Sequence, residues 1–300
     1  MPICFQDILI GVPVDAKHRI TNIVERYRER IRDAVKDAVL LSLGGRGKPR
    51  HSITVEIRDG TPRIVEEMLI QDDLGTALTA FRGTFAASAE CMSLLSNLPG
   101  QLGDDLRNVY LDQFPSDTAQ DVGRFLRAMV ERIDQANVVH RLLELDQDFL
   151  GLYEPSQRSG TIGIYWGVIA LCASRLGVSM EGLSLKVLAH EYAHALSHLG
   201  MDANGNHWES DSFLRTDRAV TEGLANYFSW CALKSSDDLW MQEGLRALEA
   251  IWPMQPPPYR EFDLWRARIK ASQESVRNAL REARQISNIR IDQFRDLLRP

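Results

Sequence analysis

The sequence predicts an α+β fold that is mainly helical, with one small sheet. Three observations carry this. Apolar residues recur at three- and four-residue spacing over several long stretches, the pattern of helices with one buried face. Strict alternation is confined to Ser52-Ile-Thr-Val-Glu-Ile-Arg58, which reads as a strand. Two short runs rich in β-branched and aromatic residues flank a Pro/Ser/Gly turn between Leu150 and Trp166, as in a β-hairpin.

Taken in order, Ile20 to Leu43 reads as a long helix whose mixed charge (ERYRERIRDAVKD) forms a solvated face beside an apolar stripe. Gly44 to Lys48 approaches a phosphate loop, but Pro49 stands where Ser or Thr is needed and the first glycine is missing, so it reads as a turn. After the strand come helical stretches near 62–96 and 117–147, the latter with Val122, Phe125, Leu126, Met129 and Val130 in register. In the hairpin, Ile162, Ile164 and Trp166 alternate with Gly163 and Tyr165 as a half-buried strand should. The run that follows (VIALCASRLG) is too uniformly apolar to assign between strand and helix.

Ser184 to Leu199 (SLKVLAHEYAHALSHL) is apolar nearly all round, which predicts a buried helix, and Gly200 suits a left-handed C-cap. A second helix runs from Thr216 or Asp217 as N-cap to Cys231, with Val220, Leu224, Tyr227 and Phe228 on its apolar face. Another spans Asp237 to Ile251 and ends at Trp252-Pro253. Pro256-Pro257-Pro258 is a stiff break. Tyr259 to Leu298 reads as one long helix through Leu264, Trp265, Ile269, Val276, Leu280, Ile286, Ile289, Phe294 and Leu297.

The chemistry is concentrated in the buried helix, at His190-Glu191-Tyr192-Ala193-His194. Positions i and i+4 of an α-helix lie about 6 Å apart and about 40° around the axis, so both imidazoles project from one face. That spacing lets His190 and His194 grip one Zn²⁺, with Glu191 beside the remaining coordination position as general base. A catalytic zinc takes three protein ligands, and Glu222 on the second helix is the candidate third. Gly223 and Ala225, small residues flanking it, would let that helix approach the first. Asn226, one turn on, is placed to hold the free nitrogen of a ligating histidine.

His198 continues the i, i+4 series, but it lies about 12 Å along the axis from His190 and about 80° around it, too far for one metal to collect all three. It is expected at the helix end or on a pocket wall. His207, Asp202 and Asp211 in the loop that follows are reserve ligands. Tyr153, Tyr165, His207 and Tyr259 are the candidates for stabilising an oxyanion, and the sequence does not choose among them.

HEYAH followed 28 residues after His194 by TEGLANYF resembles the gluzincins, the thermolysin-like clan of zinc peptidases. The resemblance covers roughly residues 150–235. It implies a zincin-like catalytic domain with an active-site helix and a small edge sheet, in which His190, His194 and Glu222 hold zinc and Glu191 is the base. Asn226 stands where many members carry an aspartate behind the first histidine. A sheet-edge strand in such domains takes a peptide substrate by main-chain pairing, the role open to the 150–166 hairpin. The metzincin pattern does not fit, because Ser197 and Gly200 stand where it requires glycine and histidine.

The chain then divides into a mainly helical region over 1–148, the catalytic domain over 149–255 and a C-terminal helix over 256–300. The flanks show only packing stripes and solvated charge. They are expected to regulate or recruit, without a catalytic group, and the C-terminal helix could hold a second copy or a partner protein. It carries ten Lys/Arg against six Asp/Glu on a chain of net charge −6. That net charge argues against nucleic acid as the main partner, and the expected partner is a peptide or protein substrate.

No run approaches the ~20 apolar residues of a membrane span, and the first residues lack the basic n-region and apolar core of a signal peptide. Cys4, Cys91, Cys172 and Cys231 are scattered in apolar contexts without a C-x-x-C pair. They are expected to be reduced core thiols of a cytoplasmic protein.

Overall fold

A computed structural model describes residues 12–44, 51–71, 84–94, 116–136, 138–145 and 148–298 of the 300. The chain divides into two compact units, one of residues 1–11 and 65–141, the other of 12–64 and 142–300. The division therefore does not run at residue 148. The first long helix and strand belong with the C-terminal half, because both are built into its core.

The smaller unit contains a helical stretch over 84–94. The helix Ser116–Ala136 passes close to it at Gly123, where a Cβ would stand 3.4 Å from Met92 Cβ.

The larger unit contains α1 (Ala16–Val39), β1 (Ser52–Arg58), β2 (Gly151–Pro155), β3 (Ser159–Tyr165), α2 (Trp166–Leu176), α3 (Met180–Leu199), α4 (Ser210–Arg215), α5 (Arg218–Lys234), α6 (Leu239–Ile251), α7 (Pro257–Leu264), α8 (Gln273–Ala283) and α9 (Ile291–Leu297). It is α+β and mainly helical, with a three-stranded mixed sheet in the order β1-β3-β2. β1 runs parallel to β3, with Val55 opposite Ile162, and the predicted hairpin pairs Tyr153 of β2 with Ile162 antiparallel.

Being central, β3 is covered rather than half-buried. Ile162 and Ile164 are fully enclosed, Gly163 and Tyr165 are buried too, and Trp166 opens α2 instead of extending the strand. The unassigned run after it is helical, closed by Gly177 at φ +66.

Everything is arranged around α3. Every residue from Gly182 to Leu199 is buried, with α1, α5, α6 and the sheet packed around it. Ser179 caps its start by accepting from Gly182 N–H. The helix ends at Gly200 as expected, but through extended backbone (φ −64) rather than a left-handed cap. Glycine is required there by space: a Cβ would stand 2.4 Å from Leu196 O and 2.7 Å from Leu41 Cβ.

Asp217 is the N-cap of α5, accepting from Ala219 N–H, and its other oxygen accepts from Ile291 N–H.

The tail departs most from expectation. It is not one helix but α7, a π turn over Trp265–Ile269, α8 and α9. Left-handed backbone at Lys270 (φ 55) and Asn288 (φ 58) breaks it, and Ser272 caps a new start. The breaks fold the apolar stripe back onto the body, with Trp265 and Phe294 fully buried and their rings 5.0 Å apart. Its arginines are used internally. Arg277 donates to Ala38 O at the end of α1, and Arg284 to Leu196 O and Ser197 O at the end of α3, where the helix dipole favours positive charge.

Gly223, expected to admit α3, admits the tail instead: a Cβ there would stand 2.6 Å from Trp265 Cη2. Gly223→Ala should therefore destabilise the protein by about 1–3 kcal/mol through overpacking, read from the midpoint of a urea melt. An unchanged midpoint would show that Trp265 moves freely.

Cys172 is buried and Cys231 half-buried, both free thiols. Cys91 is exposed, against the expectation of a core position, since only Ala89 is buried on its helical stretch. Cys4 and most of the 44–48 turn lie outside the described residues, as do parts of the 62–96 stretch. No helix among the described residues is long and apolar enough to cross a membrane.

Candidate metal centre

The structure brings His190, His194 and Glu222 to one point. His190 Nε2 lies 3.2 Å from Glu222 Oε2 and 3.2 Å from His194 Nε2, and His194 Nε2 lies 3.4 Å from Glu222 Oε2. Ligands held at 2.0–2.2 Å in a tetrahedron stand about 3.4 Å apart, so the three atoms already have the spacing of one metal's donors. All three side chains are 5% exposed or less.

The second oxygen of Glu222 accepts from Arg218 Nε at 3.3 Å, one turn back on α5, leaving Oε2 for the histidines.

The protonation of His190 decides what this cluster is. Asn226 Nδ2 donates to Tyr259 O at 2.7 Å, which fixes the amide with Oδ1 toward His190. Oδ1 only accepts, so His190 Nδ1, 2.9 Å away, carries the hydrogen. In the neutral ring Nε2 then presents a bare lone pair to a carboxylate oxygen and to a second imidazole nitrogen. Burial, then the Lys186 charge, pushes the His190 pKa down to about 3, so this ring stays neutral. Lone pairs that face one another in a dry interior need a cation among them.

Without a metal, that cation is a proton on His194. Burial alone would lower its pKa, but the Glu222 charge and hydrogen bond together raise it to about 9. For Glu222, burial works against ionisation, yet His194 and its bonds to both rings hold it well below the usual carboxylate range.

Glu191 is not one of this trio, though its carboxylate lies within 4.8 Å of a His190 nitrogen and of an Asp148 oxygen. Its Oε2 is buried without a hydrogen-bond partner, and burial followed by the Asp148 charge raises its pKa well above normal. The start of β2 passes directly over it: a Cβ on Gly151 would stand 2.8 Å from Glu191 Oε1. Beside it lies a cavity of about 20 Å³, lined by Asp148, Lys186, His190, Glu191, Gln255 and Tyr259 among others. This is room for one water.

Of the four oxyanion candidates only Tyr259 stands here. Its ring stacks on His190 at 6.1 Å and its hydroxyl, which receives a hydrogen bond from Arg218, donates to Asp148 Oδ1 at 2.7 Å. Tyr153 is bonded to His198 Nδ1, Tyr165 to Arg58, and His207 stacks edge-on against His51. His198 is a tie at the helix end, its Nε2 bonded to Ser210. The reserve ligands lie elsewhere: Asp202 holds the N–H groups of Asn204 and Asn206, and Asp211 is exposed on α4. The metal-capable groups among the described residues are His190/His194/Glu222 and Asp148/His190/Glu191.

Sequence reasoning missed four site residues. Lys186 and Arg218 were findable, each four positions before a candidate ligand and on its face. Asp148 and Gln255 carry no local signal. Asp148 and Tyr259, both outside 149–255, line the cavity beside Glu191. No protein-family model matches the chain, and no curated protein or solved structure shows significant similarity to it.

Proposed function

We propose that this protein is a zinc-dependent metallopeptidase of zincin-like build, with His190, His194 and Glu222 as ligands and Glu191 as general base. The observation that carries the reading is the bare Nε2 of His190, fixed by Asn226 and facing two further donors. Two imidazoles and one carboxylate are a donor set that suits zinc and leaves a position open. When bound, zinc supplies a Lewis acid for the scissile carbonyl and acidifies water at neutral pH.

The chain's own residues do the rest. Glu191, with an unpartnered oxygen on a one-water cavity, takes the proton of the attacking water and returns it to the leaving amine. Asn226 holds the His190 tautomer, and Tyr259 braces both, by stacking on His190 and through its carbonyl on Asn226. β2, at the sheet edge beside Glu191, is the strand available for main-chain pairing with substrate.

The deep burial of the ligands also favours a second reading, a metal that staples a binding or scaffold protein. A structural centre is normally closed by a fourth protein ligand, however, and Asp202, His207 and Asp211 stand outside the cluster. Elemental analysis tests the metal itself: about one zinc per chain is expected in the wild type and little in His194→Ala. Equal, negligible zinc in both would sink both readings.

A further inference from the structure

We infer that the free edge of β1 is a docking groove for an extended, acidic peptide segment of a partner protein, held by main-chain pairing to Ile53 and Val55 and by a carboxylate on Arg28. A cavity of about 400 Å³ lies between α1 and the start of β1. Arg28, Glu29 and Arg32 line it on one side, Ser52 to Val55 on the other, together with the buried Tyr192 of α3. It is separate from the metal cluster. Tyr192 stands two residues from both His190 and His194, about 200° around the helix, so its ring faces away from the histidine pair.

The backbone of β1 defines the occupant. β1 is an outer strand of the sheet, and Ser52 N–H donates to Arg158 O, beside its register partner Ser159. In a parallel ladder successive residues turn their N–H and C=O to opposite sides. Ser52 and Thr54 therefore serve β3, while Ile53 and Val55 present theirs outward. No backbone hydrogen bond among the described residues takes those outward groups. Exposed Ser52 and Thr54 and half-buried Ile53 and Val55 all line the cavity, so it meets the strand edge-on rather than over one face. Open edges are usually blunted by lysine, proline or a bulge, and Ser52-Ile-Thr-Val55 has none of them. These four residues span about 10 Å, the reach of a short extended segment. Charge adds the second requirement. Arg32 is paired with Glu29 at 2.6 Å and with Asp33 at 3.1 Å, whereas Arg28 is exposed and in no ion pair among the described residues. One cation on the wall is left for a carboxylate of the bound segment.

The test titrates acetyl-Val-Thr-Glu-Val-Thr amide into the full-length protein, to about 1 mM, and follows backbone amide signals by NMR. Those of Ile53 and Val55 should shift and become protected from exchange. The same peptide with glutamine in place of glutamate should bind about threefold more weakly, the scale of an exposed ion pair, and the difference should shrink at high salt. Arg28→Gln, at an exposed position outside any ion pair, should remove the difference while a thermal melt shows the variant folded. The peptide N-methylated along its backbone should not bind, since it cannot donate to the edge carbonyls.

Absence of shifts at Ile53 and Val55, equal binding of the N-methylated peptide, or an acid preference that survives Arg28→Gln would overturn the inference. So would protection of both amides before any peptide is added. In a monomer that result would assign the edge to the chain's own residues, and in a dimer seen by light scattering to a second copy. The groove does not depend on the catalytic reading, because every readout here is binding at β1 and none is hydrolysis.

Discussion

Glu191→Gln keeps the fold and the metal and lowers peptide hydrolysis by roughly a hundredfold to ten-thousandfold, the usual worth of a general base. Glutamine is nearly isosteric with glutamate, so Gly151, which lies against the side chain, meets the same shape. The metal stays because Glu191 is not one of the three donors His190, His194 and Glu222 that lie together. Stability should not fall. Burial and the Asp148 charge raise the Glu191 pKa, so its ionised form opposes folding at any pH above its unfolded value, and an uncharged amide relieves that. Zinc content, melting temperature and hydrolysis of an acylated dipeptide are the three measurements. Loss of zinc would make Glu191 a ligand, and unchanged hydrolysis would remove it as the base.

The parts of this site that were legible in the sequence are the ones set by short-range geometry. A buried helix with two histidines four apart can aim them only one way, and Glu222, Asn226 and the Asp217 cap share one helical register. What the sequence hid is long-range. Asp148 and Tyr259 meet across 111 positions, and a lone carboxylate in QDFLG gives no sign of that. β1 looked like an isolated strand because its parallel partner β3 lies a hundred residues on, across the other unit.

The tail failed for a different reason. Its apolar spacing is helical throughout, but Lys270 and Asn288 adopt left-handed backbone without a glycine to announce it. The stripe marked the buried face correctly and the path wrongly. Gly223 shows the same limit: smallness was visible, but which neighbour used it was not.

Metal removal should make the stability of the protein fall as pH rises from about 6.5 to about 9, the reverse of the metal-loaded form. In the chelated protein the His194 proton stands in for the metal between His190 and Glu222. Its folded pKa, about 9, lies above the ordinary 6.5, so the proton's contribution is complete below 6.5 and is lost as pH passes through 9. That contribution is roughly 3 kcal/mol, since a tenfold change in proton affinity is worth about 1.4 kcal/mol. Above 9 the bare carboxylate and two lone pairs face one another with nothing between them.

A metal ion must displace the same proton. Binding at neutral pH should therefore release one, and affinity should rise about tenfold per pH unit until His194 has titrated. Thermal melts at pH 6, 7.5 and 9, with and without a chelator, read the first effect directly, and zinc titration in buffers of differing ionisation enthalpy counts the protons. Melts that fall in parallel with and without metal would mean that His194 is not the group that links the two states.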